Sequence, residues 1–297
     1  MGLFKPIIAQ KLQKGYDYDN VHDVEGNRLR VQMNITRNFD MPVLHEILDG
    51  KKDLKVLDIG CNEGDNSMDR LAGFDIACYI GVDRSAVAIN NAKSKYKDDQ
   101  THFYKLDVSE PDVAVDLTGI LQRNRIERVD VIMVSMVLLH LENPKKLLRT
   151  LYPFLAPGGV IFVKDIDDRD NRADPDPGHI FDRGYEIVDR CGESGNRHIG
   201  REIGGWLTDA GYQKVKCVRR GLSTLGMSND ERLALYETYF GFFMCDAEAR
   251  VDKNPTDEQA LADLGWCCYY LPKIKDTFVM PGFNFTLGFT TYIATKE

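Results

Sequence analysis

From Leu54 to about Asp170, short β-branched or apolar runs alternate with longer stretches of helical spacing. That alternation constrains the chain more than any other feature, because it is the pattern of successive βαβ units around a parallel sheet. LKVLDI, ACYIGV, THFYKL, VDVIMV and GVIFVKD are the five strand candidates. Between them, SAVAINNAKSKY and PKKLLRTLYPFL carry apolar residues at helical intervals, and the second is expected to stop at Pro157, Gly158 and Gly159. The polar stretch DNRADPDPGH then reads as a loop leaving the sheet at the carboxyl end of a strand, where doubly wound folds keep their sites. A helix (REIGGWLTDAG) and a strand (YQKVKCVRR) follow, then helical segments around ERLALYETYFGFF and DEQALADLGWCCYYL, and a closing strand FNFTLGFTTYIATK. The aromatic stripes in those two helical segments read as core packing.

A chain of 297 residues is long enough for one α/β core carrying a cap. With 43% hydrophobic and 28% charged residues it falls among globular proteins and away from disordered ones. A net charge of -8 opposes binding to a polyanion, so nucleic acid is not the expected partner. No apolar run approaches the roughly 18 residues of a membrane span, and the first residues lack the core of a signal peptide; cytoplasmic residence without a membrane partner is the expectation. Seven cysteines with no C-x-x-C pair suggest reduced, mostly buried thiols and no metal site.

The most informative segment is VLDIGCNEGDN, where a buried strand ends in Asp58 and passes into a tight loop holding Gly60, Cys61, Asn62 and Gly64. Glycine there permits positive φ and close backbone approach to a ligand. Asn62 is the non-glycine type that best tolerates the left-handed region. The second strand ends in Asp83, followed by Arg84, roughly 20 residues beyond the glycines, where a carboxylate accepts hydrogen bonds from a ribose diol. The third ends in KLDVSE, which places Asp107 and Val108 at the same edge of the sheet.

These residues resemble the first motif and the strand-end acids of the class I S-adenosylmethionine-dependent methyltransferases, in particular the ubiquinone-biosynthesis-type enzymes acting on small molecules. Asp58, Gly60 and Gly64 match the D/E-x-G-x-G-x-G pattern, and Asn62 replaces its middle glycine. The resemblance implies an α/β fold with a doubly wound, mostly parallel seven-stranded sheet and helical caps. It implies residues 1–50 as an N-terminal lid, 51–221 as the cofactor core, 222–275 as a cap insertion and 276–297 as a last strand. It implies that Asp58 faces the ammonium of S-adenosylmethionine, that Gly60 and its neighbours line the methionine part, that Asp107 meets the adenine amino group with Val108 against the ring, and that Ser135 lies beside the transferring methyl. His140, in VLLHLENP, is either a structural residue or a base near the acceptor.

Methyl transfer from a sulfonium requires alignment and exclusion of water, with no nucleophilic triad. A base matters only if the acceptor must lose a proton, and the candidates are His140 and the acids of KDIDDRD. There, the first reading is a solvated acidic turn; the functional one is that Asp165 and Asp168 orient a polar or cationic acceptor, and a bound divalent cation is the third. A nicotinamide oxidoreductase would want G-x-G-x-x-G, which GCNEGD does not supply. A nucleic-acid methyltransferase would want a basic groove, and basic clusters are limited to short pieces such as Val218–Arg220. A module that binds cofactor without catalysis is the remaining alternative.

Overall fold

The computed structural model describes residues 18–192 and 195–297. The first 17 residues of the expected N-terminal lid therefore lie outside the described residues. Two compact units emerge. One comprises residues up to Thr36 with Asp168–Arg197 and Gly221–Gly288; the other comprises Arg37–Asp167, His198–Arg220 and Phe289–Glu297.

The second unit holds the parallel strands β1 (Leu54–Ile59), β2 (Ile76–Asp83), β3 (Thr101–Lys105), β4 (Val129–Ser135) and β5 (Leu155–Ile166), in the spatial order β3-β2-β1-β4-β5. The order reverses at β1, so the carboxyl ends of β1 and β4 flank the crevice where such sheets bind ligands. The crossovers are α2 (Asp65–Leu71), α3 (Ala86–Lys95), α4 (Val113–Arg123) and α5 (Pro144–Leu151), numbered after α1 (Tyr18–Leu48). Central strands buried on both faces read as continuous apolar runs. Val56, Leu57, Val131, Ile132, Val134, Ile161 and Val163 are all fully buried. Val43, Leu44, Ile47 and Leu48 of α1 close one face against them, in the same cluster as Val56, Val131 and Phe162.

Local chemistry fixes the helix ends. Ser85 caps α3 by accepting from the Ala88 N–H, and Asn143 caps α5 by accepting from Lys146, with Pro144 in the first turn. The helix before β5 stops earlier than its glycines suggest. Leu151 ends α5, a single 3-10 turn spans Tyr152–Phe154, and Pro157, Gly158 and Gly159 lie instead in the irregular entry of β5, where the register with β4 slips.

The remaining elements are β6 (Arg172–Asp174), α6 (Ile180–Cys191), α7 (Ile203–Asp209), β7 (Gln213–Ser223), α8 (Asn229–Tyr239), α9 (Phe243–Lys253), α10 (Glu258–Phe278) and β8 (Asn284–Thr295). The later half of β8 runs antiparallel to β5, pairing Phe289 with Ile166 and Thr295 with Val160. Among the described residues the expected seven strands become eight. Arg172–Asp174, three residues inside the stretch read as a loop, pair with Asn284–Thr286, and so short a polar strand leaves no period in the sequence.

The first unit is held by an aromatic core. Phe181 stacks near Phe283 and Phe285, and Phe240 packs against Tyr236, Phe243 and Phe278. The stripe YETYFGFF is therefore interior. All seven cysteines are free thiols, with Cys61, Cys245 and Cys267 buried and Cys217 and Cys268 exposed, fewer buried than expected. Among the described residues, no helix is long and apolar enough to cross a membrane.

Candidate active site

The crevice is built by the loop after β1. Gly60 (φ 73°), Asn62 (φ 51°) and Gly64 (φ 82°) all adopt left-handed backbone, so asparagine makes the turn that a middle glycine would make. The Gly60 and Cys61 N–H groups donate to the Val82 carbonyl, tying the loop to β2. A Cβ on Gly64 would lie 2.8 Å from the Phe103 ring, which explains glycine there beyond its dihedral. The Cys61 side chain is buried, and a Cβ on Gly81 would meet its sulfur at 2.8 Å. Desolvation raises its pKa well above the usual thiol value. Cys61 therefore contributes backbone and packing to the site, with an inert thiol.

Asp58 is buried, and its Oδ2 accepts from Ser67 Oγ (2.5 Å) and from the Tyr79 hydroxyl (2.6 Å). Burial is the largest influence on it and pushes its pKa up to about 6, against those two hydrogen bonds and the Arg70 charge, which pull it down. The folded value exceeds that of the unfolded chain, so this group favours folding below about pH 4 and loses that contribution as the pH rises through 6. Its charge is present at neutral pH and goes on acidification below 6.

Asp83, at the end of β2, accepts from the Asn62 N–H (2.9 Å) through Oδ2 and from the Ser85 N–H (2.8 Å) through Oδ1. Arg84 beside it is exposed. Asp107 accepts from the Ser109 N–H (2.9 Å) and Oγ (2.6 Å). Desolvation pushes its carboxyl upward, yet the Ser109 hydrogen bonds and the charges of Arg84 and Lys105 outweigh this and hold it below the usual carboxylate range. Val108 lines a cavity of about 410 Å³ with Ser109, Leu141, Asn143 and Lys146. The loop follows β1 and Asp83 ends β2, while the cavity lies between the segment after β3 and the residues after β4.

Ser135 ends β4 opposite Lys164, and Met136 after it takes a left-handed φ of 58° while donating to the Lys164 carbonyl. That turn leads into the 3-10 helix Leu138–His140, on which the His140 side chain is exposed.

The acids of KDIDDRD are a correction to the sequence reading. Asp165 is fully buried and accepts from the Leu139 N–H (3.2 Å) and the Ile166 N–H (3.0 Å). Asp167 is fully buried too and accepts from the Arg201 N–H. Asp168, in the other unit, meets Arg197 through both oxygens (2.5 and 3.1 Å), accepts from Asn171 Nδ2 and is 6% exposed. Buried carboxylates must be compensated, and the compensation here comes from backbone N–H groups and from arginines distant in sequence. Arg172 instead donates to the Arg169 and Asn171 carbonyls. A solvated turn, an acceptor ligand at Asp168 and a shared cation all give way to this. Among the described residues, the one grouping of three possible metal ligands is Asp176, His179 and Asp182, in which Asp176 accepts from the first N–H groups of α6.

The sequence reading also missed residues. Ser67 and Tyr79 hold Asp58, and Asn66, two positions past Gly64, has a buried Oδ1 with no donor among the described residues. The adjoining serine and asparagine at the start of α2 were the available signal. An orphaned acceptor beside an acid-ended glycine loop suits a cationic, multiply donating ligand such as an amino-acid ammonium.

Residues 33–216 match the family model described as a methyltransferase domain. The chain belongs to that family, and its fold is that of the class I S-adenosylmethionine-dependent methyltransferases. A curated relative, phosphoethanolamine N-methyltransferase 3 of Arabidopsis thaliana, is 28% identical over 171 residues, 57% of this chain; the matched stretch is 31% of the relative's length. The YcgJ protein of Bacillus subtilis has a similar fold, with a TM-score of 0.52 at 14% identity over 88% of this chain and 99% of that one. So has a chain of the Haloferax volcanii complex between the Trm112 methyltransferase activator and a methyltransferase, with a TM-score of 0.53 at 12% identity over 94% of this chain and 98% of that one.

If Asp83 serves the ribose diol, Asp83→Ala should weaken S-adenosylhomocysteine binding by roughly 1.5–3 kcal/mol per charge-assisted hydrogen bond lost. Calorimetric titration reads this, with circular dichroism reporting the fold. A folded variant of unchanged affinity would remove Asp83 from the site.

Proposed function

We propose that the protein transfers the methyl group of S-adenosylmethionine to a small-molecule acceptor in the cytoplasm. The observation that carries this is the left-handed loop Gly60–Gly64 joined to Asp83 through the Asn62 N–H, at the switch point of a parallel sheet. The small-molecule acceptor draws on the phosphoethanolamine-methylating relative and on the net charge of -8, which disfavours nucleic acid. The seven unpaired thiols suit a reducing compartment.

When bound, S-adenosylmethionine supplies an already activated methyl group. The chain's own residues then bind, orient and exclude water. Asp58, ionised at neutral pH, and the orphaned Asn66 Oδ1 would hold the ammonium, the loop backbone the methionine part, and Asp83 the ribose hydroxyls. Asp107 and Val108 would face the adenine. Ser135, at the end of β4, would lie beside the transferring methyl, and the exposed His140 would take a proton from a hydroxyl acceptor. Asp165 fixes the Leu139 N–H next to it, which makes Asp165 a positioning residue for that turn.

The pH dependence of binding tests the assignment of Asp58. Because its carboxyl is held near 6, the dissociation constant of S-adenosylhomocysteine should be flat above pH 7 and rise by up to about tenfold for each unit below 6. Calorimetry between pH 5 and 8 decides it. A constant affinity across that range would take Asp58 away from the ammonium, and tighter binding of NAD than of S-adenosylhomocysteine would sink the cofactor assignment.

A further inference from the structure

Among the described residues lies a buried ionic network that the proposed chemistry does not use. Asp40 on α1, Arg70 on α2 and Lys164 on β5 are 1%, 3% and 2% exposed. Arg70 Nε and Nη2 both lie 2.6 Å from Asp40 Oδ2, and Lys164 Nζ lies 2.8 Å from each Asp40 oxygen. Hydrogen-bond geometry from Lys164 is met only at Oδ2, so Asp40 Oδ1 is left without a donor among the described residues. Two cations share one anion in a site where each uncompensated charge costs several kcal/mol. Lys164 Nζ also sits 4.8 Å from the centre of the Phe289 ring, which relieves part of that excess.

The network has an address. Arg70 is one turn along α2 from Ser67, the residue that donates to Asp58, and Arg70 also donates to the Asn66 carbonyl. On the outer side, Arg37 of α1 pairs with Asp69 of α2 at 2.7 Å, so successive turns of α1 grip successive residues of α2. We propose that Asp40 is a positioning residue for cofactor binding: through Arg70 it fixes α2, and with it Ser67, Asn66 and the glycine loop, while balancing the positive charge that Asp58 experiences.

This rests on the reading of Asp58 and the loop as the cofactor site. The groups around Asp58 are Ser67 and Arg70 on α2, Tyr79 on β2, and Cys61 and Asp83 at the strand ends; those around Lys164 are Asp40, Arg70 and Asp165. Asp40→Asn removes the anion that Arg70 and Lys164 share, which makes the surroundings of Asp58 more positive and favours its ionised form. Arg70→Met leaves a balanced Asp40–Lys164 pair and removes the cation nearest Asp58, which disfavours it. A purely structural network would not shift the two variants in opposite directions.

The experiment is calorimetric titration of the full chain with S-adenosylhomocysteine across pH 5–8, for wild type, Asp40→Asn and Arg70→Met, with circular dichroism at each pH. The expected result is a binding midpoint displaced downward in Asp40→Asn and upward in Arg70→Met, each by about 0.5–1 pH unit. An affinity at pH 8 about tenfold weaker is expected in both, since α2 loses its hold. Folded variants with the wild-type midpoint, or with both midpoints moving the same way, overturn the proposal, as does wild-type binding with no midpoint. Should Asp40→Asn fail to fold, Arg70→Met decides alone: an upward shift supports the proposal and none refutes it. Absence of binding by wild type at every pH would instead bring down the cofactor reading itself.

Discussion

Replacing Asp168 by alanine is expected to lower the unfolding free energy by about 3–5 kcal/mol, the range for breaking a buried ion pair by removing one partner. The magnitude follows from what remains. Arg197, 6% exposed, would lose its bidentate acceptor and keep its charge in the interior, with the Phe242 ring, 4.9 Å from the guanidinium carbon, and the charge of Asp246 left to offset it. Asn171 would lose its acceptor as well, and Asn171 Oδ1 is the group that takes the Gly288 N–H of β8. Urea denaturation at neutral pH measures the loss. The double variant Asp168→Leu with Arg197→Met should recover a large part of it, because an apolar pair of similar volume removes both charges together. A loss under about 1 kcal/mol in Asp168→Ala would mean that the pair is solvated in solution, and would return Asp168 to the list of groups free to meet an acceptor.

That acidic run shows where sequence reading reaches its limit. Four aspartates in six residues look like a solvated turn or a ligand site, because the groups that neutralise them are 29 and 34 positions away, at Arg197 and Arg201. Only the fold brings those together. The glycine loop was legible for the opposite reason: left-handed backbone leaves its mark on the residues that can adopt it, so Gly60, Asn62 and Gly64 announce their conformation locally. Parallel strands buried on both faces were legible for the same kind of reason, since LKVLDI and VDVIMV need no partner to look apolar. Arg172–Asp174 did not look like a strand, because its three residues, Arg, Ala and Asp, carry no alternation of apolar and polar side chains long enough to read. Helix α9 was missed because CDAEARVDK shows too few apolar residues to declare a period, although Phe243, Cys245, Asp246, Ala247 and Ala249 are buried on more than one side of it. Asp58 could be read as a site candidate from its motif. Its dependence on Ser67, Tyr79 and, through Arg70, on Asp40 required the packing of three elements.

The loop itself carries the second large effect. Gly60→Ala is expected to destabilise the protein by about 2–5 kcal/mol, the sum of roughly 1–2 for left-handed backbone in a residue with a Cβ and 1–3 for forcing volume into a packed site. The added Cβ would stand 2.3 Å from Val137 Cγ2, and a β-branched side chain has few rotamers to retreat into. The backbone cannot yield cheaply either, because the Gly60 N–H is bonded to the Val82 carbonyl at 2.8 Å. Two other glycines separate the contributions. Gly73 has φ 97° with nothing within 4 Å of its would-be Cβ, so Gly73→Ala should show the dihedral cost alone. Gly119 has ordinary helical backbone in α4 and open space, so Gly119→Ala should be neutral or stabilising by up to about 1 kcal/mol. Pairing Gly60→Ala with Val137→Ala removes the clashing methyl and should recover the packing part, leaving the backbone strain, as a double-mutant cycle can read. Binding of S-adenosylhomocysteine by Gly60→Ala should fall by more than tenfold, and the double variant should regain only some of it, since the loop remains strained. A Gly60→Ala protein with wild-type stability would show that the turn relaxes in solution, and one with wild-type affinity would show that the cofactor does not rest on this part of the loop.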